Sequence, residues 1–489
     1  MNLSYQKYRL FHLMWCVFII THHLITSTSW IRVGNDWLNP SHEIFRIIAV
    51  LTAIFVFVSI LNPKKIIWFV LTLISWSLLK LDNLPQIPNH IILALIANFT
   101  ILMGVFLNRS KGQLIEDRLA LIYDSIAPIL RWNMIILYFF TVFHKINWDF
   151  FNIDVSCAVT MYQDISSDKG FLPDNQIINW SLIFGTVIIE TLIPVLLIIP
   201  RSRLFGIILG LSFHLLLSFH PNMYITSFSC EMSALFVLFL PNSYIIGISK
   251  RLGKWHQIGL NTMKINKLSI YTIFKFTFYL FLLTGIVLIL DHDHQDLIVL
   301  NKIKIIYRLS LQVVTFLTIV MFLFYSTRVR HDNEKGSFRL QKNVLIVLPI
   351  LLFFNGVTPY LGLKTATNFS MFSNLRITGT ENNSILIPNN FPLVKHSSDI
   401  IEIVESNDAG MMKIKNNNEK LTFFEFQRWI HEQNELSKTR TIYIHNQKTI
   451  ILNLPHDKLK PEYNQISWLE KKLFIYRNIP KDGPCICQW

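Results

Sequence analysis

The stretch SLIFGTVIIETLIPVLLII, residues 181–199, holds one ionisable side chain among nineteen residues. A helix of that length rises ~28 Å, close to the ~30 Å hydrocarbon thickness of a bilayer. Similar apolar runs recur along the 489-residue chain. Eleven spans are expected, at 11–29, 44–61, 66–81, 90–107, 125–146, 177–199, 203–219, 227–247, 269–290, 308–326 and 343–363. Composition agrees: 52% of residues are hydrophobic and 16% charged, against about 25% charged in soluble chains. The fold expected is an all-α polytopic membrane bundle.

The net charge of +14 needs no nucleic acid to account for it. Lys64 and Lys65, then Arg109, Lys111 and Arg118, then Arg201 and Arg203, then KRLGKWHQIGLNTMKINK and TRVRHDNEKGSFRLQK, occupy loops on one side. Loops on the other side are poorer in Lys and Arg, and 146–176 carries Asp149, Asp154, Asp164, Asp168 and Asp174. The positive-inside bias then places the amino terminus in the cytoplasm and the carboxyl terminus outside. The start, MNLSYQKYRLFHLMWC, reads as a retained first span rather than a cleaved signal peptide.

Beyond about residue 365 the apolar spans stop. IIEIVE, MKIK, TIYIH, TIILNL and KLFIYRNI read as short strands, and LTFFEFQRWIHEQNE as a helix capped by Thr422. Residues 1–365 are therefore expected as the membrane domain and 366–489 as a small extracytoplasmic α+β domain. Cys157, Cys485 and Cys487 would share the outer compartment, where Cys157 could join either of the others.

Ionisable side chains inside spans are costly and mark functional candidates. Arg131 and Glu190 lie deep in the fifth and sixth spans. Arg131 precedes Lys145 by ~21 Å of helix, and Glu190 lies ~20 Å from the outer end of its span. Two antiparallel neighbours would then bring the charges to one depth, so an Arg131–Glu190 pair is expected. Lys145 ends the fifth span in TVFHKINWDFF, either snorkelling to the surface or shielded from water as a base. His144 points about 100° away on the helix and would face a different neighbour. His214, interior to the seventh span, reads as a neutral imidazole bonded across helices. Haem ligation with His22 or His23 is not expected, nor is any metal.

The stretch LRWNMIILYFFTVFHKINWDFFNIDVSCA resembles the membrane domain of vitamin K-dependent gamma-glutamyl carboxylases and the wider HTTM (horizontally transferred transmembrane) family. So do SFHLLLSFHPNMYITSFSCEMSALFVLFLP and NFSMFSNLRITGTENNSILIP, and the likeness covers roughly residues 5 to 390. It implies Lys145 as the base that deprotonates a reduced naphthoquinone, with O2 and CO2 as co-reactants. The activity would be a carbon–carbon lyase, a carboxylase acting on a peptide, protein or small carboxylate at the outer face. His144 and His214 would assist, and Trp132, Tyr138 and His220 would line a quinone or substrate pocket. Where the carboxylases carry an asparagine–histidine pair, Leu107 and Asn108 stand here, and the outer part is much smaller. The alternative is a non-enzymatic membrane protein that binds lipid, quinone or a partner protein. A solute transporter is a weaker third reading, since paired broken helices are not evident.

Overall fold

The computed structural model describes residues 2–32, 40–109, 114–170, 173–246, 295–326, 337–378, 381–433, 438–463 and 466–487. The expected span at 269–290 and the basic loop at 250–267 lie outside these residues. Nine helices come before the first gap of more than ten residues. They are α1 (Leu3–Arg32), α2 (Pro40–Leu61), α3 (Ile66–Asp82), α4 (Asn89–Leu107), α5 (Ile115–Lys145), α6 (Cys157–Lys169), α7 (Gln176–Ile198), α8 (Arg203–Leu217) and α9 (Met223–Phe236). Two further apolar helices follow, α10 (Gln295–Ser326) and α11 (Val347–Val357).

Among the described residues, six helices are long and apolar enough to cross a membrane: Leu3–Thr26 in α1, Ile44–Leu61 in α2, α4, α5, α7, and Lys304–Phe324 in α10. The described residues do not confirm the expected count of eleven. Helix α3 runs 17 residues, α8 runs 15, α9 runs 14 and α11 runs 11. A 15-residue helix rises ~22 Å, short of the ~30 Å core. At 227–247 and 343–363 the sequence windows merged a helix with its non-helical flanks, whereas α3 fills its expected 66–81 and is simply short. Asn222, for example, starts α9 by accepting the Tyr224 N–H on its side chain. Helix α7 shows how a span divides its faces. Ile177, Phe184, Ile188 and Leu192 are exposed, whereas Ile183, Glu190 and Ile193 are buried on the opposite stripe.

The chain forms two compact units. One comprises Met1–Trp76, Ile101–Arg131 and Val195–Gln341. Its core follows α1, where Tyr8, Phe11, Trp15 and Phe18 are fully buried. Trp15 and Phe18 lie 5.1 Å apart, and His22 meets Trp76 edge-on at 5.6 Å. The His22 ring also bonds the Ser227 hydroxyl of α9 at 2.9 Å. Gly210 admits the Phe236 ring between α8 and α9, since a Cβ there would meet it at 2.1 Å.

The other unit comprises Ser77–Thr100, Trp132–Pro194 and Lys342–Trp489. It holds an antiparallel five-stranded sheet, ordered β6-β5-β3-β4-β7. The strands are β3 (Ile400–Ser406), β4 (Glu419–Thr422), β5 (Arg440–His445), β6 (Lys448–Asn453) and β7 (Ile479–Pro480), after a small ladder of β1 (Ile377–Thr378) and β2 (Glu381–Asn382). Helices α12 (Ala409–Asn416), α13 (Phe423–Glu432) and α14 (Trp468–Leu473) complete it. Ile401, Ile403, Met411, Leu421, Phe426 and Tyr443 lie in one buried cluster. Thr422 caps α13 as expected, accepting the Glu425 N–H at 3.3 Å. The expected strand MKIK is instead part of α12. Asp408 caps that helix on the Met411 N–H, and Met411 and Ile414, one helical turn apart, both pack on the cluster. Most of KLFIYRNI is not strand either. Only Ile479 of that stretch reaches the sheet. Asn446 and Gln447, both at positive φ, form the two-residue turn between β5 and β6.

Asp457 closes the far end of β6. Burial raises its pKa, but the Asn453 N–H at 2.8 Å, His456 at 3.0 Å and Lys460 at 2.9 Å outweigh it and hold the carboxyl at about 2. The folded pKa lies below the ordinary 3.8, so this stabilisation is present above pH ~4 and is lost as the pH falls through 2. Asp457→Asn is expected to lower stability at neutral pH and to flatten the acid limb between pH 4 and 2. Trp429 fluorescence during acid titration reads both. An acid limb identical to wild type would refute the assignment.

Candidate buried charge site at the end of α5

The buried stripe of α5 runs through Leu130, Met134, Leu137, Tyr138, Thr141, His144 and Lys145, at helical three- and four-residue spacing. The helix is held at its end by Asn147. The Asn147 amide donates to the His144 carbonyl at 2.7 Å and to the Ser373 carbonyl at 2.6 Å. Its Oδ1 accepts the Phe150 N–H at 2.9 Å. The chain then turns into extended pairing: the Trp148 N–H donates to the Asn383 carbonyl and Asn147 bridges Ser384. An α-helix leaves its last carbonyls without partners, and here a fully buried asparagine takes one of them.

Lys145 is buried, with 3% of its surface exposed. Its ammonium donates to Glu190 Oε2 at 2.6 Å and to the Thr141 carbonyl at 3.4 Å, with the Phe150 ring 6.0 Å away. Glu190 is 8% exposed, on the inward stripe of α7. Tyr138, one turn below Thr141, lies within electrostatic reach of Glu190. The snorkelling geometry considered for Lys145 is therefore not adopted. A charge that could have reached water is instead neutralised internally.

His144 faces elsewhere, as the helical offset requires. Its Nε2–H donates to the Gly356 carbonyl of α11 at 3.0 Å, and its ring lies 5.4 Å from Phe140 and 5.8 Å from Tyr360. Gly356 is needed for this approach, because a Cβ there would come within 2.2 Å of Phe140.

The expected Arg131–Glu190 pair is not formed. Glu190 takes Lys145, and Arg131 donates to the Leu238 carbonyl at 2.9 Å and to the Ser337 carbonyl. The depth argument treated a guanidinium as needing a carboxylate. Backbone carbonyls of the 3-10 turn that follows α9 and of Ser337 satisfy its N–H groups instead. His214 is buried in α8 against Phe228, at 5.0 Å, and its backbone carbonyl accepts the Ser229 hydroxyl. His220 Nδ1 accepts the Asn222 N–H at 3.0 Å, and its carbonyl accepts from Arg308. Trp132 is 38% exposed, whereas Tyr138 points inward. None of Trp132, Tyr138 and His220 lines either of the two described cavities. The structure thus gathers Lys145, Glu190 and Tyr138.

An amide network beside the pair was missed from sequence. Asn383 donates to Asp149 at 2.7 Å and to the Asn374 carbonyl at 2.7 Å, while Asn374 accepts the Cys157 N–H at 2.8 Å. Cys157 is disulfide-bonded to Cys487. Thr367, Phe369, Phe372 and Asn374 all have positive φ, so four non-glycine residues in eight adopt the left-handed conformation. The asparagine and serine density of NFSMFSN was the available signal. Neither a family model, nor a curated protein, nor a solved structure matches this chain.

Proposed function

We propose that this chain is an integral membrane protein whose Lys145–Glu190 pair handles a proton at the outward end of α5, as a quinol-coupled, carboxylase-like reaction requires. The observation that carries the reading is an amine sheltered from water and held 2.6 Å from a carboxylate. Such a pair can take up one proton as a unit. Lys145 passes its proton to Glu190 and receives another from the reacting O–H, leaving an ammonium beside a neutral carboxyl. The bound quinol would supply the electrons; the chain's contribution is the proton acceptor and exclusion of solvent. The amino terminus would be cytoplasmic and the α+β domain extracytoplasmic. The Cys157–Cys487 bond supports that side, because disulfides persist in oxidising compartments.

A second reading is favoured by one specific observation. The Lys145 amine is already engaged by Glu190 and Thr141, and it lines neither described cavity. The pair would then join α5 to α7 in a non-enzymatic protein that binds lipid, quinone or a partner. Lys145→Ala in purified protein separates the two readings through quinol oxidation measured with and without CO2. The catalytic reading expects at least a hundredfold loss at a temperature where the variant is still folded. Wild-type turnover in Lys145→Ala would remove it.

A further inference from the structure

Helix α14 (Trp468–Leu473) has six side chains, and none of them is buried among the described residues. Isolated helices shorter than about 12 residues are marginal in water, and packing of an apolar face ordinarily supplies what propensity cannot. Here the chain itself secures only the start. Ser467 accepts the Glu470 N–H at 3.2 Å, and Glu470 accepts the Ser467 N–H at 2.9 Å. By helical rotation Trp468, Leu469 and Leu473 fall on one face. All three are exposed, Trp468 by 72%. Glu470 lies on the other side, where it meets the His396 ring at 3.3 Å.

Exposed apolar side chains recur where this unit meets the ends of other apolar helices. The unit contains the carboxyl ends of α3 and α5 and the starts of α4 and α7. Lys472 donates to the carbonyl of Asp82, the last residue of α3, at 2.6 Å. Trp148, 67% exposed, lies just past the end of α5. The Ile385 N–H donates to the Ile146 carbonyl at 3.1 Å, which carries exposed Ile385 and Leu386 to the same helix end. Phe391 and Leu393, also exposed, donate their N–H groups to the Tyr360 and Leu361 carbonyls shortly after α11. Single exposed apolar side chains are ordinary, but three groups of them, each hydrogen-bonded beside the end of an apolar helix, mark an interaction surface.

From this placement we infer an interfacial membrane anchor: the apolar face of α14, with Trp148 and the 385–393 segment, enters the headgroup region of the leaflet where this unit's helices end. The anchor rests on the membrane-spanning reading proposed above. Tryptophan beside leucine and phenylalanine at the ends of apolar helices is the composition of an interfacial belt. Lys471 and Lys472 give α14 the basic flank that anionic headgroups attract. A second protein would have to follow the ends of α3, α5 and α11 at once, whereas a bilayer surface meets all three together.

The test uses the full chain in liposomes of phosphatidylcholine and phosphatidylglycerol. Bimane is attached to Leu469→Cys, to Leu192→Cys on the exposed face of α7, and to Ile451→Cys on β6, the sheet edge opposite β7. Signal from the native thiols is subtracted with the wild-type chain. Lipids brominated high on the acyl chain should quench the label at 469 about twofold, as expected ~5–10 Å into the headgroup–acyl boundary, and leave the label at 451 unchanged. The label at 192 should be quenched by brominated lipid in either case. No quenching at 192 would remove the spanning reading and the anchor with it. Quenching at 192, with 469 responding no more than 451, would overturn the anchor alone. So would a label at 469 shielded from aqueous iodide yet untouched by brominated lipid, because protein would then cover α14.

Discussion

Glu190→Ala will destabilise the protein by about 3–5 kcal/mol, the cost typical of removing one partner from a buried ion pair. The magnitude follows from what is left behind. Lys145 would keep only the long contact to the Thr141 carbonyl at 3.4 Å, in a position that admits almost no water. Lys145→Ala will cost a similar amount by leaving the carboxylate without its ammonium. Replacing both, Lys145→Met with Glu190→Leu, should restore most of the loss, because apolar side chains of similar size remove the desolvation cost together with the attraction. The double-mutant cycle in thermal denaturation of detergent-purified protein measures the coupling. Additive single and double effects would mean that the 2.6 Å contact contributes no net coupling. Arg131 offers the contrast: Glu190→Ala should leave it unaffected, since its guanidinium rests on the Leu238 and Ser337 carbonyls.

Much of the apolar helical part was legible because hydropathy acts over whole helices. Helices stand wherever a span was expected among the described residues, although only six are long and apolar enough to cross. What hydropathy could not see was where a helix stops. Helix ends are set by single side chains: Asn222 accepts the Tyr224 N–H, and Asn147 also depends on Ser373, distant in sequence. In the carboxyl-terminal sheet region, IIEIVE, TIYIH and TIILNL read correctly because alternation ran long enough to identify a strand. MKIK did not, since four residues fit either period and the Asp408 cap decided for helix.

The candidate site was half legible. The composition of α5 and α7 identified Lys145, Arg131 and Glu190 as the costly residues, and depth along the helices chose the wrong pairing. Depth is one coordinate, whereas pairing also needs the rotation of each helix about its axis. Lys145 shares a stripe with Tyr138 and Thr141, and Glu190 shares one with Ile183 and Ile193. Those stripes face each other through the 2.6 Å contact. His144 shows the same point in reverse: one residue along the helix, it reaches Gly356 rather than Glu190.

Cys157→Ser and Cys487→Ser will each lower stability by about 2–4 kcal/mol, and Cys485→Ser will cost little. The three cysteines could not be told apart by spacing. Cys157 bonds Cys487 across a separation of 330 residues, while Cys485 keeps a free thiol and binds Asp149 through its backbone N–H. For a freely coiling chain, a loop that long would imply on the order of 6 kcal/mol of closure entropy. Helices α7 to α11 lie inside the loop, and if they are held in a bilayer, as proposed, the reduced chain is not freely coiling and the smaller figure applies. The loss should also be local. Arg376 holds the Pro480 and Gly483 carbonyls, Asn374 the Cys485 carbonyl and Asp149 the Cys485 N–H, so the tail stays anchored after the bond is cut. Hydrogen exchange should rise at 150–160 and 479–487 and remain slow in the buried cluster around Ile401 and Tyr443. Faster exchange throughout that cluster would show that the bond supports the whole domain. Unchanged exchange at both ends would show that the two thiols are not joined.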